Sequence, residues 1–257
     1  MSNTLTITID GRPCTCEPGE YLYDVAERNG IHIPALCRSD AFEDHRACCR
    51  VCLVEVEERG RRKVVTSCVY PVERECAVYT NSEKIIEERA VTLALLAKRA
   101  PSSDVIADMA REAGAAAGGA AGFDRLVTLD DEKCILCGLC VQACDSLGTG
   151  AISTVNRGVD KKVSTPYDEP SEDCIGCLSC ANVCPTGAIE YTQDATSRTI
   201  WNRTFELAFC ERCGAPMGTK AAVSRAAQQT GIEEPHVCDA CRKKELADEM
   251  MRTYRYV

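Results

Sequence analysis

The sequence predicts an α+β protein made of several small domains that bound metal helps to stabilise. Alternating apolar and polar residues, typical of strands, occupy the first ten positions, and a helical pattern of apolar residues follows at 85–97. Cysteine accounts for 20 of the 257 residues, and eight of these cysteines recur at regular spacing between positions 134 and 184. Chains this rich in cysteine are usually disulfide scaffolds or metal proteins.

The composition narrows the class of protein further. The net charge of −9 argues against a nucleic-acid-binding protein, which needs a basic face. Thr4, Thr6 and Thr8 interrupt any apolar run after Met1, so we expect no signal peptide. We also expect no membrane span, because no uncharged apolar run reaches the required length. A cytoplasmic protein that uses its cysteines as metal ligands fits these observations.

The N-terminal residues predict two hairpins separated by a helix and a cysteine-containing loop. Leu5, Ile7 and Ile9 define the first strand, a turn follows at Asp10-Gly11, and the chain returns over residues 12–17. A helix is expected at 20–29. A second pair of strands is expected at 53–57 and 64–67, and cysteines precede and follow it at Cys37, Cys48, Cys49, Cys52 and Cys68. Cys14 and Cys16 share one face of a strand and are expected in the core. We assign no role to Cys76.

The next stretch predicts a helical connector. An apolar helical pattern ends before Pro101, a shorter helix is expected from Asp104 to Ala113, and an Ala/Gly run from Ala113 to Gly122 has the composition of a linker. Structural packing is the simplest role for these helices, and a surface for partner docking is the alternative.

Two copies of the pattern CxxCxxCxxxC form the centre of the chain. They contain Cys134, Cys137, Cys140 and Cys144 in the first copy, and Cys174, Cys177, Cys180 and Cys184 in the second. In two-cluster ferredoxins with this run, the fourth cysteine of each copy binds the other cluster. The expected ligand sets of two 4Fe–4S centres are therefore Cys134, Cys137, Cys140 and Cys184 for one, and Cys174, Cys177, Cys180 and Cys144 for the other. Two complete copies argue against zinc or disulfides. Between them, residues 151–155 and 161–165 predict a hairpin.

The C-terminal residues contain a third cysteine pattern, CxxC…CxxC. Its members are Cys210, Cys213, Cys238 and Cys241, and Gly214 follows the first pair as in a zinc-ribbon knuckle. One structural zinc ion is the first expectation. A third 4Fe–4S cluster is the alternative, since four thiolates serve both metals, and a redox-active dithiol is a third possibility. Helices are expected at 221–229 and 242–251. His236 is expected in solvent, because four cysteines complete a tetrahedral site.

The N-terminal order of strands, helix and cysteines resembles the β-grasp 2Fe–2S ferredoxins. It is most similar to the N-terminal module of complex I-type iron–sulfur subunits and their relatives in NAD-linked hydrogenases and formate dehydrogenases. Residues 33–37 (IPALC) and 49–56 (CRVCLVEV) carry the resemblance. It implies that one 2Fe–2S cluster is bound by Cys37, Cys49, Cys52 and Cys68. Cys48 competes with Cys49, but only Cys49 gives CxxC with Cys52. The histidine and cysteines that bind a further cluster in larger family members are missing from 81–133.

Pattern and resemblance together divide the chain into four segments. They are a β-grasp 2Fe–2S ferredoxin domain at 1–80, a helical connector and linker at 81–125, a two-4Fe–4S ferredoxin domain at 126–197, and a small zinc-ribbon-like segment at 198–257. The family resemblance covers residues 3–80 and 126–192.

The sequence contains no Walker A motif, no GxGxxG after a strand and no supported catalytic triad, so we predict no catalytic residues. The resemblance implies an electron-transfer subunit, similar to the small diaphorase subunit, within a hetero-oligomer. It would relay single electrons between a flavoprotein that oxidises NAD(P)H and a low-potential catalytic subunit such as a hydrogenase or formate dehydrogenase. The alternatives are a subunit of a bifurcating transhydrogenase or of an aldehyde or thioester reductase, a free ferredoxin-like carrier, and an iron–sulfur redox sensor.

Overall fold

A computed structural model describes residues 4–42, 45–114, 132–233 and 235–254. The chain forms two compact units that alternate along the sequence. The first contains Met1–Gln142, Asn156–Lys162 and Val183–Ala188, and the second contains Ala143–Val155, Val163–Asn182 and Ile189–Val257. The Ala/Gly run predicted as a linker lies mostly outside the described residues.

A five-stranded mixed sheet forms the N-terminal part of the first unit. Its strands are β1 (Leu5–Ile9), β2 (Arg12–Cys16), β3 (Leu53–Glu58), β4 (Arg61–Thr66) and β5 (Ala77–Tyr79), in the spatial order β2-β1-β5-β3-β4. The two predicted hairpins are confirmed as the antiparallel pairs β1–β2 and β3–β4. Strand β5, which the sequence analysis did not predict, joins them by pairing parallel to β1 and antiparallel to β3.

The sheet buries one face against helix α1 (Leu22–Arg28). Ile7 and Ile9 are buried while their threonine neighbours Thr6 and Thr8 are exposed, as the alternation predicts. Cys14 and Cys16 lie in the same core, at 2 % exposure each, which confirms their predicted position.

Helices α2 (Glu83–Arg99) and α3 (Asp104–Glu112) follow the sheet. The hydroxyls of Ser82 and Ser103 cap their N-termini, because each accepts a hydrogen bond from the backbone N–H of the third residue of its helix. Both predicted helices are therefore present, and they pack together around Leu93 and Ile106.

The cysteine-rich region contains little regular structure. It includes α4 (Leu139–Ser146), the two-stranded pair β6 (Ser153–Val155) and β7 (Lys162–Ser164), and the one-turn helix α5 (Ser179–Asn182). The pair β6–β7 confirms the hairpin predicted between the two cysteine runs.

The second unit contains an antiparallel sheet that the sequence analysis missed. Its strands are β8 (Tyr191–Gln193), β9 (Ser197–Ile200), β10 (Arg203–Phe209) and β11 (Pro216–Thr219), in the order β11-β10-β9-β8. Trp201 and Asn202 form the tight turn between β9 and β10, both with positive φ. Helices α6 (Lys220–Thr230) and α7 (Asp239–Tyr254) follow and contain the two predicted helices. In the described part of the chain, no helix is long and apolar enough to span a membrane.

Candidate iron–sulfur and metal centres

The structure brings the four cysteines of the predicted 2Fe–2S centre together in the first unit. Cys37, Cys49, Cys52 and Cys68 are all buried, with exposures of 1–3 %. The Sγ atoms of Cys52 and Cys68 are 3.4 Å apart, and the backbone N–H of Cys49 donates to Cys37 Sγ at 3.5 Å. Strands β3 and β4 position two of these thiols, because Cys52 directly precedes β3 and Cys68 follows β4.

The electrostatics of this cluster of thiols fit a cationic iron centre. Hydrogen bonds from Cys48, Cys49 and Cys68 hold the pKa of Cys37 far below its usual range. Hydrogen bonding to Cys37 in turn raises the pKa of Cys49 and Cys68. The hydrogen bond from Cys68 also lowers the pKa of Cys52, to about 6. Hydrogen bonds among these thiols thus favour the thiolate form at Cys37 and Cys52 and the thiol form at the other two. A cluster that binds four thiolates supplies the positive charge that lets all four ionise.

Cys48 occupies a different environment from Cys49. Its side chain is exposed, and its Sγ donates to the backbone carbonyl of Cys137 at 3.1 Å while also hydrogen bonding with Cys37. Cys48 thus lies between the predicted 2Fe–2S centre and the first CxxCxxCxxxC loop. Burial favours Cys49 as the ligand.

A buried arginine supports the 2Fe–2S loop. Arg89 of α2 is 9 % exposed and donates to the carbonyl oxygens of Val51 at 3.2 Å, Leu53 at 3.0 Å and Thr80 at 3.1 Å. Burial lowers its pKa. An arginine offers five donors and no acceptor, so a single side chain can bind three carbonyls here. The sequence predicts α2 as a packing helix, with partner docking as the alternative, and carries no signal for this contact.

The first unit also gathers Cys134, Cys137, Cys140 and Cys184, which are separated by up to 50 positions in sequence. Burial raises the pKa of Cys137 to about 11, and the nearby charges of Cys184, Cys134 and Cys37 add to the effect. The backbone N–H of Leu136 donates to Cys134 Sγ at 3.4 Å, and that of Ala188 donates to Cys184 Sγ at 3.3 Å. Backbone donors directed at sulfur are the environment that an iron–sulfur centre requires.

The second unit gathers the other predicted set. Cys144, Cys174, Cys177 and Cys180 line one cavity together with Ile152 and Trp201. Cys144 Sγ accepts from the backbone N–H of Ala151 at 3.2 Å and lies 3.1 Å from the hydroxyl of Thr149.

Both cysteine loops adopt the same unusual backbone. The residues before and after the second cysteine of each run have positive φ: Leu136 (55°) and Gly138 (79°) in one, and Gly176 (65°) and Leu178 (68°) in the other. Positive φ is uncommon for residues other than glycine. Its repetition at equivalent positions indicates a constraint on the two loops, and the cysteines that they enclose are the shared feature.

The sheet β8–β11 binds the outer side of the second loop. Arg203 Nη1 donates to the carbonyls of Ser171 at 2.7 Å, Glu172 at 2.7 Å and Cys174 at 2.9 Å, and Arg198 Nη1 donates to Gly176 at 2.8 Å. Thr219 donates to the carbonyl of Ile175. The inner side contains a buried donor, since Trp201 Nε1 has no hydrogen-bond partner in the described chain. Four thiols and an unpaired indole N–H around one cavity fit a 4Fe–4S centre, whose sulfurs accept hydrogen bonds.

The C-terminal cysteines form a more compact site. The ligand atoms of Cys210, Cys213, Cys238 and Cys241 all lie within 4.8 Å of one another, and the Sγ atoms of Cys213 and Cys238 are 3.7 Å apart. The backbone N–H of Cys238 and further backbone donors lower the pKa of Cys210 to about 6. Hydrogen bonds with Cys213 and burial raise that of Cys241 to about 12. His236 is exposed beside Glu211, as expected.

Comparison with known proteins identifies the same two regions. Residues 2–83 match a family described as "2Fe-2S iron-sulfur cluster binding domain", and residues 127–191 match one described as "4Fe-4S dicluster domain". The chain is 32 % identical over 210 residues to the HndD subunit of the NADP-reducing hydrogenase of Solidesulfovibrio fructosivorans, covering 72 % of this chain and 36 % of that protein. It is 28 % identical over 231 residues to a subunit of the NADH-quinone oxidoreductase of Rhizobium meliloti, covering 82 % of this chain and 27 % of the relative.

A solved structure of a hydrogenase chain has a similar fold. A chain of an NAD+-reducing [NiFe]-hydrogenase in the H2-reduced state superposes with a TM-score of 0.60 at 26 % identity, over 72 % of this chain and 86 % of that one. Fold and sites thus define an iron–sulfur protein with several centres. The chain thus contains a 2Fe–2S cluster binding domain followed by a 4Fe–4S dicluster domain, and it is similar to iron–sulfur subunits of NAD(P)-linked hydrogenases and of complex I-type oxidoreductases. It spans about a third of the length of the curated relatives named here.

Proposed function

We propose that this chain is an electron-transfer subunit that relays single electrons through one 2Fe–2S and two 4Fe–4S centres. The observation that carries the proposal is the shared core of the first unit. Cys37 and Cys49 belong to the same buried apolar cluster as Cys137. The thiol of Cys48 bridges from Cys37 to the carbonyl of Cys137. A 2Fe–2S centre and the first cube would therefore be neighbours that share one buried apolar cluster.

The ligands that we propose are the sets expected from the sequence. They are Cys37, Cys49, Cys52 and Cys68 for the 2Fe–2S centre, Cys134, Cys137, Cys140 and Cys184 for the first cube, and Cys144, Cys174, Cys177 and Cys180 for the second cube. The crossed assignment is supported by proximity. Burial raises the pKa of Cys134 and of Cys174, and negative charge on Cys184 and on Cys144, respectively, adds to the effect. Cys140 and Cys144, four positions apart in the sequence, would connect the two cubes.

The protein's own residues would control water and hydrogen bonding around these centres. Buried apolar side chains, among them Leu36, Val51, Ile135 and Leu139, surround the first two. Exclusion of water and the number of N–H donors to sulfur both set the reduction potential of such centres. The chain would thus conduct electrons, and chemistry on substrates would take place in partner subunits.

The partners that we propose are a flavoprotein that oxidises NAD(P)H and a low-potential catalytic subunit, in a hetero-oligomer. The printed names of the relatives, a subunit of an NADP-reducing hydrogenase and a subunit of an NADH-quinone oxidoreductase, support this assignment. They do not favour a bifurcating transhydrogenase, an aldehyde or thioester reductase, or a free carrier. Co-purification from the native host, followed by identification of the associated subunits and their cofactors, tests the assignment.

For the C-terminal cysteines we propose one zinc ion. Tetrahedral zinc with Zn–S bonds of about 2.3 Å separates its sulfurs by roughly 3.8 Å, close to the 3.7 Å between Cys213 and Cys238. A cube places four iron atoms between its thiolates and would force the sulfurs much farther apart. The compactness of the site therefore supports a mononuclear metal over a third cube.

The domain scheme deduced from the sequence also stays a proposal. We propose a β-grasp 2Fe–2S domain at 1–80, a connector at 81–125, a two-cube domain at 126–197 and a zinc-ribbon-like segment at 198–257. The packing of one helix against the five-stranded mixed sheet supports a β-grasp domain at 1–80.

Redox titration of anaerobically prepared full-length protein, followed by electron paramagnetic resonance (EPR), tests the relay. We expect one 2Fe–2S signal and two 4Fe–4S signals, each developing on addition of one electron. Stoichiometric zinc with almost no iron or acid-labile sulfide would refute the proposal, as would a nucleotide site within this chain.

A further inference from the structure

The chain contains a single tryptophan, and its position is unusual. Trp201 lies in the β9–β10 turn with φ of 52° and lines the cavity formed by the cysteines of the proposed second cube. Its Nε1 is shielded from solvent and lacks a hydrogen-bond partner within the described residues. A buried donor without an acceptor is costly, so such groups call for an explanation.

The indole lines the same cavity as all four cysteines of the proposed second cube, Cys144, Cys174, Cys177 and Cys180. A sulfur atom of a centre held there would give Nε1 the acceptor that it lacks. The turn that carries Trp201 is held firmly against the loop, because Arg198 and Arg203 flank it and bind four loop carbonyls between them. The donor is therefore preorganised.

We propose that Trp201 donates its indole N–H to a sulfur of the centre held by Cys144, Cys174, Cys177 and Cys180, and thereby raises the reduction potential of that centre above the value it would have without this bond. The proposal rests on the ligand assignment of the proposed function. It also gives the sheet β8–β11 a functional role, as the element that brings this donor to the second cube.

The direction of the effect follows from charge. Reduction adds one electron and hence one negative charge to the cluster and its four thiolates. An N–H donor to sulfur, and the positive charges of Arg198 and Arg203 nearby, stabilise the reduced form more than the oxidised form. The effect is strong inside the protein because the local dielectric is low. No second tryptophan is available to the first cube, since the chain has only one.

The first test is the variant Trp201→Phe in the full-length holoprotein. We expect one of the two 4Fe–4S reduction steps to shift to a more negative potential, while the other step and the 2Fe–2S step stay in place. Tyr191→Phe, which removes an exposed aromatic hydroxyl from β8 of the same sheet, is the matched control and should shift none of the three. An unchanged potential in Trp201→Phe, with both cubes present, would overturn the inference and leave the proposed function standing.

The second test uses the wild-type protein, so it does not require any variant to fold. Wild-type protein grown with tryptophan labelled with ¹⁵N at Nε1 contains one labelled position. Pulsed EPR of the reduced protein should detect coupling of that nitrogen to the cluster spin. A reduced second cube without ¹⁵N coupling would overturn the inference alone. Absence of a second cube by iron analysis would overturn both the inference and the ligand assignment on which it rests.

Discussion

Leu136 and Leu178 adopt a backbone conformation that their side chains do not favour. Both have positive φ, which costs about 1–3 kcal/mol for a residue other than glycine. In return, the reversed peptide directs N–H groups inward, as where Leu136 donates to Cys134 Sγ. Arg203 binds carbonyls of the second of these loops, and Arg89 binds those of Val51 and Leu53 beside the cysteines of the proposed 2Fe–2S centre. At the scale of single residues, backbone N–H groups thus donate to cysteine sulfur, and backbone carbonyls accept from arginine.

Gly176 is the position in these loops at which an added side chain would be tolerated least. It has φ of 65°, and a Cβ atom there would lie 2.6 Å from the ring of Phe205. We expect Gly176→Ala to lose the second cube, measured as a fall of about four iron atoms per chain. Gly158→Ala is the matched control, because Gly158 has the same φ with nothing within 4 Å of a Cβ. It should cost about 1 kcal/mol and keep all the iron. Equal iron loss in both variants would show that φ alone, without the Phe205 contact, accounts for the effect.

The neighbouring cysteines 48 and 49 permit a second test at this scale. Cys49→Ser removes a buried thiol and should abolish the 2Fe–2S EPR signal while both cubes remain. Cys48→Ser changes an exposed thiol and should keep the signal. If Cys48→Ser removes the signal and Cys49→Ser does not, the proposed ligand set is wrong by one position.

Among the elements, α2 and the sheet β8–β11 have equivalent roles. Each contributes a largely buried arginine to the outside of a cysteine loop, α2 in the first unit and β10 in the second. These elements support the metal centres without supplying a ligand. Substitutions in them should therefore change how firmly a centre is held before they change which metal is bound.

Arg89→Met tests this role for α2. The variant keeps an apolar stem of similar length but leaves the carbonyls of Val51, Leu53 and Thr80 without their donor. We expect the stability of the 2Fe–2S loop to fall by about 3 kcal/mol, measured as loss of 2Fe–2S absorption at a lower urea concentration. Arg111→Met in α3 is the control, since that side chain is 74 % exposed, and it should cost no more than about 0.5 kcal/mol. A urea midpoint unchanged by Arg89→Met would contradict the supporting role.

At the scale of the whole molecule, the spacing of the ligand atoms distinguishes the C-terminal cysteine site from the others. The C-terminal ligand atoms all lie within 4.8 Å of one another. No other group of three or more histidine, cysteine or acidic residues in the described ranges meets that criterion. The spacing of the sulfurs would then select a single metal ion at the C-terminus and clusters elsewhere, although every ligand is a thiolate.

Metal analysis checks this division. We expect about ten iron atoms (two in the 2Fe–2S centre and four in each cube) and about one zinc ion per chain. The double variant Cys213→Ser and Cys241→Ser should lose the zinc and keep the iron, since neither residue belongs to a proposed cluster. A loss of about four iron atoms instead would indicate that the C-terminal site is a third cube.

Local pattern predicted much of the fold but few of the supporting contacts. The hairpins, α1–α3, the pair β6–β7, the two CxxCxxCxxxC runs and the C-terminal CxxC pairs follow from periodicity and spacing, whereas the 2Fe–2S ligand set was implied by the family resemblance. Strand β10 carried a signal that was overlooked, because Phe205 and Leu207 alternate with exposed residues. Arg89, Arg203 and Trp201 carried none, since their contacts join residues separated by 9–38 positions in the sequence. Such contacts depend on the tertiary fold, so no local pattern reveals them.

The alternation of the two units along the chain has a consequence for how the protein can be divided. The backbone passes from one unit to the other after residues 142, 155, 162, 182 and 188. A fragment that stops at residue 142 keeps Cys134, Cys137 and Cys140 but lacks Cys184. Neither unit can therefore be produced intact by a single protease cut or by splitting the gene at one codon.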